Sequence, residues 1–322
     1  MSDYLQTVAD VYAEAAQQPD GGLCCVSSPV WRLPDLVIPR QMLAMNYGCG
    51  STVDPRDLHG NDTVLYVGVG GGLEALQFAY FTRRPGAVIA VDPVAEMRQK
   101  AAENFAEAAK LNPWFRPEFV QLIDGTALEL PLAKNTATIA AQNCLFNVFK
   151  EKDLDRALGE IVRVLKPGGM FCTSDPITPV PLPTALTDDE RLRARCLSGC
   201  QVLPDYLASL TNAGFGRIDV RAKFPYRYLS PREYPDLKAG VMLESVEVAA
   251  FKTPDGPDGP MIFTGRTATY FGPKDSFDDR QGSVLPNGIP TPVSDAAAKR
   301  LERFADIVLT PPTWQAKGGG CC

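Results

Sequence analysis

The stretch TVLYVGVGGGLEALQFAYF, residues 63–81, determines the fold. Its first part, TVLYVGV (63–69), is a short run of apolar, largely β-branched and aromatic residues, which is typical of a strand buried on both faces. Three glycines follow, and LEALQFAYF (73–81) then repeats its apolar residues at helical spacing. The stretch therefore predicts a buried strand that turns through glycines directly into a helix.

The alternation of strand and helix continues along the chain. Further strand-like runs are AVIAVD (87–92), EFVQLID (118–124), TIAAQN (138–143), GGMFCTSD (168–175) and GRIDVRAKF (216–224). Helical patterns such as VAEMRQKAAENFAEAAK separate them, without hairpin signals. This order predicts right-handed βαβ units and an α/β fold with a doubly wound, mostly parallel, Rossmann-like sheet.

The chain on either side of this alternation has a different character. Residues 1–58 begin with an amphipathic helical pattern, and we expect them to form a helical cap on the core at 59–228. Residues 229–322 are turn-rich, with short β runs and a late helical pattern at 295–305, so they predict a smaller α+β extension.

Composition excludes several classes of function. With 32 basic and 38 acidic residues, the net charge of −6 disfavours nucleic acid and anionic membranes as partners. The N-terminus lacks the basic and apolar regions of a secretion signal, and no apolar run is long enough to cross a bilayer, so we expect a cytoplasmic protein. The only histidine, His59, lies in the polar turn DLHGND, which disfavours Ser-His-Asp chemistry.

The glycine turn predicts a nucleotide-type site. Gly68, Gly70 and Gly72 let the backbone approach a ligand at a helix N-terminus, and Asp92 ends the second strand where an acid accepts hydrogen bonds from ribose hydroxyls. The spacing is G-x-G-x-G rather than G-x-G-x-x-G, so it does not require room for a pyrophosphate. Taken alone, the turn also fits an NAD site or a purely structural role.

The nine cysteines do not form a zinc or disulfide pattern, because the count is odd and no CxxC pair exists. Cys144 follows the fourth strand at its carboxyl end, Cys49 precedes the core and Cys196 follows the fifth strand. Three thiolates converging from separate segments would bind a soft ion, although each could instead be a small core residue. Cys172 lies inside a strand and is assigned to the core.

These motifs resemble known enzymes. The glycine turn, the trailing acid and the LKPGG turn are similar to class I S-adenosylmethionine (SAM) methyltransferases. NYGCG, QNCLFN, VLKPGGMFCTSD and RCLSGC resemble the motifs of arsenite methyltransferases, and MIFTGRTATYFGPKDSFDD is similar to their C-terminal domain. LYVGVGGGLEALQFAYF and the terminal GGGCC resemble the branch linked to arsenosugar biosynthesis.

The resemblance implies a set of site residues. The arsenic ligands would be Cys49, Cys144 and Cys196, a further redox cysteine would be Cys24 or Cys25, and Cys200 would be a bystander. The SAM contacts would be Gly68, Gly70, Gly72, Asp92, Pro93, Gly125, Thr126, Ala127 and Asn143. Two departures from the family are Tyr66, where many members have an acid, and Thr126, where many have an aspartate.

The implied reaction is methyl transfer from SAM to thiolate-bound arsenite and methylarsenite, followed by thiol reduction of the arsenic. Thioredoxin or glutathione would reopen the resulting disulfide. Cys321 and Cys322, on a terminal glycine run, are expected to be mobile and auxiliary. Two alternatives stay open: a methyltransferase with another small-molecule acceptor, and a thiol-rich arsenic-binding protein without enzymatic activity.

Overall fold

The computed structural model describes residues 3–23 and 31–313. Its main feature is an eight-stranded sheet in the order β3-β2-β1-β4-β5-β7-β6-β8. In chain order these strands are β1 (Val64–Val67), β2 (Val88–Asp92), β3 (Val120–Asp124), β4 (Ala137–Asn143), β5 (Leu165–Ile177), β6 (Arg217–Leu229), β7 (Val241–Phe251) and β8 (Met261–Phe263). The first five strands pair in parallel, with β1 and β4 adjacent at the point where the strand order reverses.

Helices cover both faces of this sheet. They are α1 (Asp3–Gln17), α2 (Arg40–Ala44), α3 (Leu73–Thr82), α4 (Ala95–Leu111), α5 (Glu151–Val164), α6 (Thr184–Thr187), α7 (Glu190–Ala194) and α8 (Leu203–Ala213). Single 3-10 turns occupy Pro117–Phe119 and Phe146–Val148. All four residues of β1 are buried, and alternate residues contribute to the two cores on either side of the sheet. The predicted α/β fold with helices on both faces is therefore confirmed.

The far edge of the sheet differs from the predicted parallel order. β7 pairs antiparallel with β5 and with β6, and β8 adds to the outer side of β6 in parallel. The boundary predicted at residue 229 coincides with the end of β6, yet β7 and β8, both beyond it, belong to the main sheet. The hairpin escaped sequence analysis because β6 and β7 are joined by an eleven-residue connection (230–240) without a tight-turn signature.

The remaining C-terminal residues form a smaller unit. It contains β9 (Thr267–Tyr270), β10 (Ser276–Asp278), β11 (Val284–Pro286), β12 (Thr291–Pro292), α9 (Asp295–Leu301) and β13 (Ile307–Leu309). Its core is a separate apolar cluster that includes Tyr270, Leu285 and Leu301. The predicted late helix is present as α9, and the side chain of Ser294 caps its N-terminus by accepting a hydrogen bond from the Ala297 N–H.

The N-terminal segment packs over the carboxyl ends of the parallel strands. α1 contacts α4 and α7. The Tyr47 hydroxyl donates to the Ala15 carbonyl at 3.2 Å, and the Tyr4 hydroxyl donates to the Asp153 carboxylate on α5. The loop after α2 lies directly on the glycine turn, because a Cβ at Gly71 would come within 2.7 Å of the Met45 Cβ. The segment 31–58 thus brings Cys49 to the edge of the sheet where ligands bind in this architecture.

Candidate active site

The glycine turn connects β1 to α3 through left-handed backbone. Gly68, Gly70 and Gly72 have φ values of +80°, +50° and +88°, which other residues rarely adopt. At Gly72 a Cβ would also lie 2.8 Å from the Phe105 ring of α4. The amide of Asn104 on α4 donates to the Gly71 carbonyl at 2.9 Å and fixes the turn from behind. The turn is therefore held in one shape, with Gly68 and Gly70 half-buried and Gly71 and Gly72 buried at the N-terminus of α3.

Asp92 connects this turn to the end of β2. One carboxylate oxygen accepts from the Val69 N–H and the other from the Val94 N–H, each at 2.9 Å. Burial raises the pKa of Asp92 to about 6, although these two amides and Arg98 oppose the shift. The Gly70 amide is also hydrogen-bonded to this carboxylate, so about one of its roughly four acceptor positions stays available for a ribose hydroxyl.

The DGTA segment continues β3 beside Asp92. Asp124 is in register with Asp92, and Arg98 joins them by donating to the Asp92 carbonyl at 2.7 Å and pairing with the Asp124 carboxylate at 3.0 Å. Gly125 is packed against Pro131, and Thr126 accepts from the Leu128 N–H at 3.2 Å. Ala127 is buried and Pro93 is exposed. The sequence did not predict a role for Arg98, because its contacts join α4 to the ends of two strands that only the fold brings close to it.

The loop that carries Cys49 is held by three buried or half-buried side chains from the core. Asn143, at the end of β4, accepts from the Cys49 N–H at 3.0 Å and donates to the Gly50 carbonyl at 2.9 Å. Glu247 on β7 accepts from the Ser51 N–H at 2.9 Å. The predicted cofactor residue Asn143 therefore also positions a predicted arsenic ligand.

Glu74 supplies the third attachment, from the first turn of α3. Its carboxylate accepts from the Thr52 N–H at 2.9 Å, the Thr52 hydroxyl at 2.8 Å and the Tyr66 hydroxyl at 2.9 Å, with a further hydrogen bond from Asn143. Burial raises the pKa of both Glu74 and Tyr66. Where many relatives have an acid, this chain has a phenol that donates to an acid eight residues later.

The predicted thiol ligands are connected through Ser174 of β5. The Cys49 sulfur lies 3.5 Å from the Ser174 hydroxyl and also accepts from Ser245 on β7 at 3.3 Å. The Cys144 N–H donates to the Ser174 carbonyl at 2.7 Å. The Cys196 thiol in turn donates to the Cys144 carbonyl at 2.6 Å. The three cysteine residues thus come from three separate segments and are linked through Ser174 and the Cys144 backbone.

All three residues are buried, with at most 3% of their surface exposed. Cys144 and Cys196 have left-handed φ values of 59° and 57°, which are strained for residues other than glycine and recur at functional sites. In this conformation no three His, Cys, Asp or Glu side chains within residues 3–23 and 31–313 are grouped as a metal-binding cluster. Binding of a three-coordinate ion would therefore require the thiols to turn toward a common centre.

A buried polar cluster that sequence analysis missed supports the Cys144 turn. Asp175 accepts from the hydroxyls of Tyr206 and Thr173, both at 2.8 Å, and from the Gln142 amide. The Gln142 oxygen accepts from the Leu145 N–H at 2.8 Å. Burial raises the pKa of Asp175 to about 6. This network braces both sides of Cys144, and only the fold brings its members together.

Apart from Cys200, the other cysteines and His59 lie away from this cluster or outside the described residues. Cys172 is buried in the opposite core and burial raises its pKa to about 12, consistent with a core role. His59 is exposed in its turn. Cys24, Cys25, Cys321 and Cys322 lie outside the described residues. The site roles themselves stay predictions.

Comparison with known proteins agrees with this architecture. Residues 65–173 match the "Methyltransferase domain" family. The chain is 31% identical to an arsenite methyltransferase of Halobacterium salinarum over 179 residues, 56% of this chain and 44% of the relative. It is also 31% identical to an arsenite methyltransferase of Aquipseudomonas alcaligenes over 223 residues, 65% of this chain and 61% of the relative. The chain thus spans about half the length of the curated relatives it matches.

The structure superposes on the crystal structure of CrArsM, an arsenic(III) S-adenosylmethionine methyltransferase from Chlamydomonas reinhardtii, with a TM-score of 0.63. The identity is 20%, and the match covers 88% of this chain and 96% of the other. Within the described part of the chain, no helix is both long and apolar enough to cross a membrane. Residues 65–173 thus match a methyltransferase domain, in a chain that shares the fold of CrArsM and is similar in sequence to arsenite methyltransferases, as its motifs predicted.

Proposed function

We propose that this protein transfers methyl groups from SAM to trivalent arsenic bound by Cys49, Cys144 and Cys196. The observation that supports the proposal is the chain of contacts through Ser174, which links three buried cysteine residues from separate segments at the carboxyl edge of the sheet. Thiolates are the preferred ligands of a soft ion such as arsenic(III). The relatives named as arsenite methyltransferases support the same substrate.

In the proposed reaction, different residues bind the cofactor and the arsenic. Gly68, Gly70 and Gly72 would accept the cofactor at the helix N-terminus, and Asp92 would hold its ribose. When bound, SAM supplies an electrophilic methyl group. Arsenite would lose its three hydroxyls as water as it takes up three thiol sulfurs, a step in which the thiol protons are consumed. Thiolate-bound arsenic retains a lone pair, so methylation requires no general base and depends on positioning and exclusion of water.

The decisive experiment incubates the protein with arsenite, SAM and a dithiol reductant, and separates the arsenic species by chromatography. We expect methylarsenite and dimethylarsenite from the unaltered protein. Cys144→Ser should abolish both products, while the matched core variant Cys172→Ser retains them. If the unaltered protein forms no methylated arsenic, the proposed function is wrong. Near-normal activity of Cys144→Ser would leave a methyltransferase but remove the three-thiol site.

Three finer proposals rest on the sequence resemblance. They are reduction of the enzyme by thioredoxin or glutathione, a cytoplasmic location, and a place in the arsenosugar-biosynthesis branch. The terminal Cys321 and Cys322 would deliver arsenic or reduce an internal disulfide. Deleting both should slow repeated turnover while sparing a single turnover; loss of the single turnover as well would place them in the site itself.

A further inference from the structure

Cys200 lies beside the site but was treated as a bystander in the sequence. Its side chain is 7% exposed, and its thiol donates to the Cys196 carbonyl at 3.3 Å. Asn147, itself buried, contacts both residues: its amide donates to the Cys200 sulfur at 3.6 Å and lies 3.5 Å from the Cys196 carbonyl. Two cysteines of one tight turn therefore share a polar contact inside the core.

The turn that carries these two cysteines is built closely against the sheet edge. Gly199 has no room for a side chain, because a Cβ there would come within 2.0 Å of the Asn147 carbonyl oxygen. Cys196 is held in left-handed backbone, and its thiol reaches the Cys144 carbonyl. The position of Cys200 next to Cys196 is thus fixed by the packing of the whole segment 196–200.

After each methyl transfer, the arsenic bound at this site must gain two electrons before it can be methylated again. When the arsenic lone pair takes up the methyl group, arsenic passes from the trivalent to the pentavalent state and its complex gains a positive charge. A second methylation requires trivalent arsenic again. Among the described cysteines that are not predicted ligands, Cys200 is the one that contacts a ligand residue, so it is the candidate donor of these electrons.

We propose that Cys200 is the internal reductant of the methylated arsenic, a role that rests on the proposed function. The Cys200 sulfur attacks the arsenic-bound sulfur of Cys196, forming a Cys196–Cys200 disulfide. The arsenic–sulfur bond to Cys196 breaks and its electron pair stays on arsenic, which becomes trivalent. The Cys200 proton is released, so the positive charge leaves with it. Methylarsenic(III) stays bound to Cys49 and Cys144.

The Cys196–Cys200 disulfide must be reduced before the next cycle. An external dithiol reductant reopens the disulfide by exchange, attacking Cys200 because Cys196 is fully buried. Cys172 cannot serve as the donor. It lies in the core on the opposite face of the sheet, and burial raises its pKa to about 12, so it holds its proton.

A single turnover without reductant tests the proposal. The full-length reduced protein is mixed with one equivalent of arsenite and excess SAM, and free thiols are then blocked with iodoacetamide. The protein is digested with trypsin, and the masses of the fragments are measured by mass spectrometry. Cys196 and Cys200 fall in one fragment, 196–217, whereas Cys49 and Cys144 fall in two others. We expect fragment 196–217 to be two hydrogens lighter and unalkylated, in proportion to the methylarsenite formed. A disulfide between any other fragments, with methylarsenite present, would overturn the proposal.

Kinetics of Cys200→Ala provide the second readout. The first methyl transfer should keep its rate, and repeated turnover with dithiol should fall at least tenfold. Cys172→Ala should keep both rates. If Cys200→Ala slows the first transfer as much as the later ones, Cys200 has a structural role and the proposal is wrong. Absence of methylated arsenic from the unaltered protein would instead contradict the proposed function, which separates the two failures.

Discussion

Asp92 links the glycine turn to the end of the second strand, and we propose that it binds the ribose of SAM there. Its two oxygens are oriented by the Val69 and Val94 amides, so an amide side chain in its place would turn an N–H toward one of them. Hydrogen bonds to a charged group contribute about 1.5–3 kcal/mol. We therefore expect Asp92→Asn to weaken SAM binding by roughly ten- to a hundredfold in isothermal titration calorimetry.

Asp124→Asn is the matched control for this prediction. Asp124 occupies the equivalent position of the neighbouring strand, in register with Asp92, but its side chain is 74% exposed. Its pairing with Arg98 is a surface contact, which contributes little. We expect the SAM affinity of Asp124→Asn to stay within about threefold of that of the unaltered protein. Equal losses in the two variants would mean that Asp92 does not contact the cofactor.

The raised pKa of Asp92 also predicts a pH dependence. In the proposed complex the SAM ribose donates to the ionised Asp92 carboxylate, so protons would compete with SAM for this group. Binding is therefore complete above the pKa and weakens as the pH falls through about 6. Titrations between pH 5 and 8 should show this decline, and Asp92→Asn should remove it. If the SAM affinity of Asp92→Asn falls with pH in the same way, the pH dependence belongs to another group, such as Asp175, whose pKa is also raised to about 6.

Residues of this site differ in how far the sequence could predict them. Gly68, Gly70, Gly72 and Asp92 are identified by spacing, because a turn and a strand end are local structures. Glu74 could not be identified, since its partner Thr52 lies in a separate segment and a glutamate in the first turn of a helix is ordinary. Burial and long-range partners give such a residue its role.

At the scale of elements, the loop around Cys49 depends on the carboxylate of Glu247. Glu247→Ala would leave the half-buried Ser51 N–H without its charged acceptor, and hydrogen bonds to charged groups contribute about 1.5–3 kcal/mol of folding free energy. Because the loop would be less well fixed, we also expect weaker arsenite binding. Both quantities are measurable, by urea unfolding and by the arsenic retained after gel filtration.

Glu244→Ala gives a control on the same strand. Glu244 pairs with Lys223 at 3.0 Å in a partly exposed position, so its removal should change stability by less than about 1 kcal/mol and leave arsenite binding intact. If Glu247→Ala behaves like Glu244→Ala in both measurements, the loop is held by its other contacts alone.

The segment 196–200 offers a steric test of the same kind. Gly199→Ala would force a Cβ to within 2.0 Å of the Asn147 carbonyl oxygen, and overpacking of this kind costs about 1–3 kcal/mol. Gly159→Ala is the matched control, because Gly159 lies on the exposed side of α5 with no atom within 4 Å of the added Cβ. The control should gain about 0.5–1 kcal/mol from helix propensity. In thermal unfolding we therefore expect Gly199→Ala to be less stable than the unaltered protein and Gly159→Ala to be more stable. If Gly199→Ala leaves the stability unchanged, the segment 196–200 is loosely packed.

The elements themselves were largely predictable. The six strands predicted between residues 63 and 224 all form, because each is a short apolar run set between helical patterns. The order of the strands beyond β5 was not predictable. β7 inserts between β5 and β6, and its eleven residues were read only as part of a turn-rich extension. Pairing partners far apart in sequence leave no local periodicity that distinguishes parallel from antiparallel neighbours.

The whole molecule combines two cores around the main sheet with a third core in the C-terminal unit. β8 joins this unit to the sheet through pairing with the first three residues of β6 only, Arg217–Asp219. The apolar cluster of the unit contains no residue of the main sheet. Cooperative unfolding requires shared packing, so we expect the unit to open independently of the methyltransferase domain.

Leu285→Ala tests this independence. Leu285 is fully buried in the C-terminal cluster, and its truncation should cost about 2–5 kcal/mol locally. In hydrogen exchange followed by mass spectrometry, amides of β9 and β13 should then exchange faster, while those of β1 and β4 keep their protection and SAM still binds. Leu65→Ala, in the centre of the main sheet, should instead lower protection in β1, β4 and β5 together, because it removes packing shared by that whole core. If Leu285→Ala lowers protection of β1 as much as that of β9, the molecule unfolds as one unit and the C-terminal residues contribute directly to the stability of the main sheet.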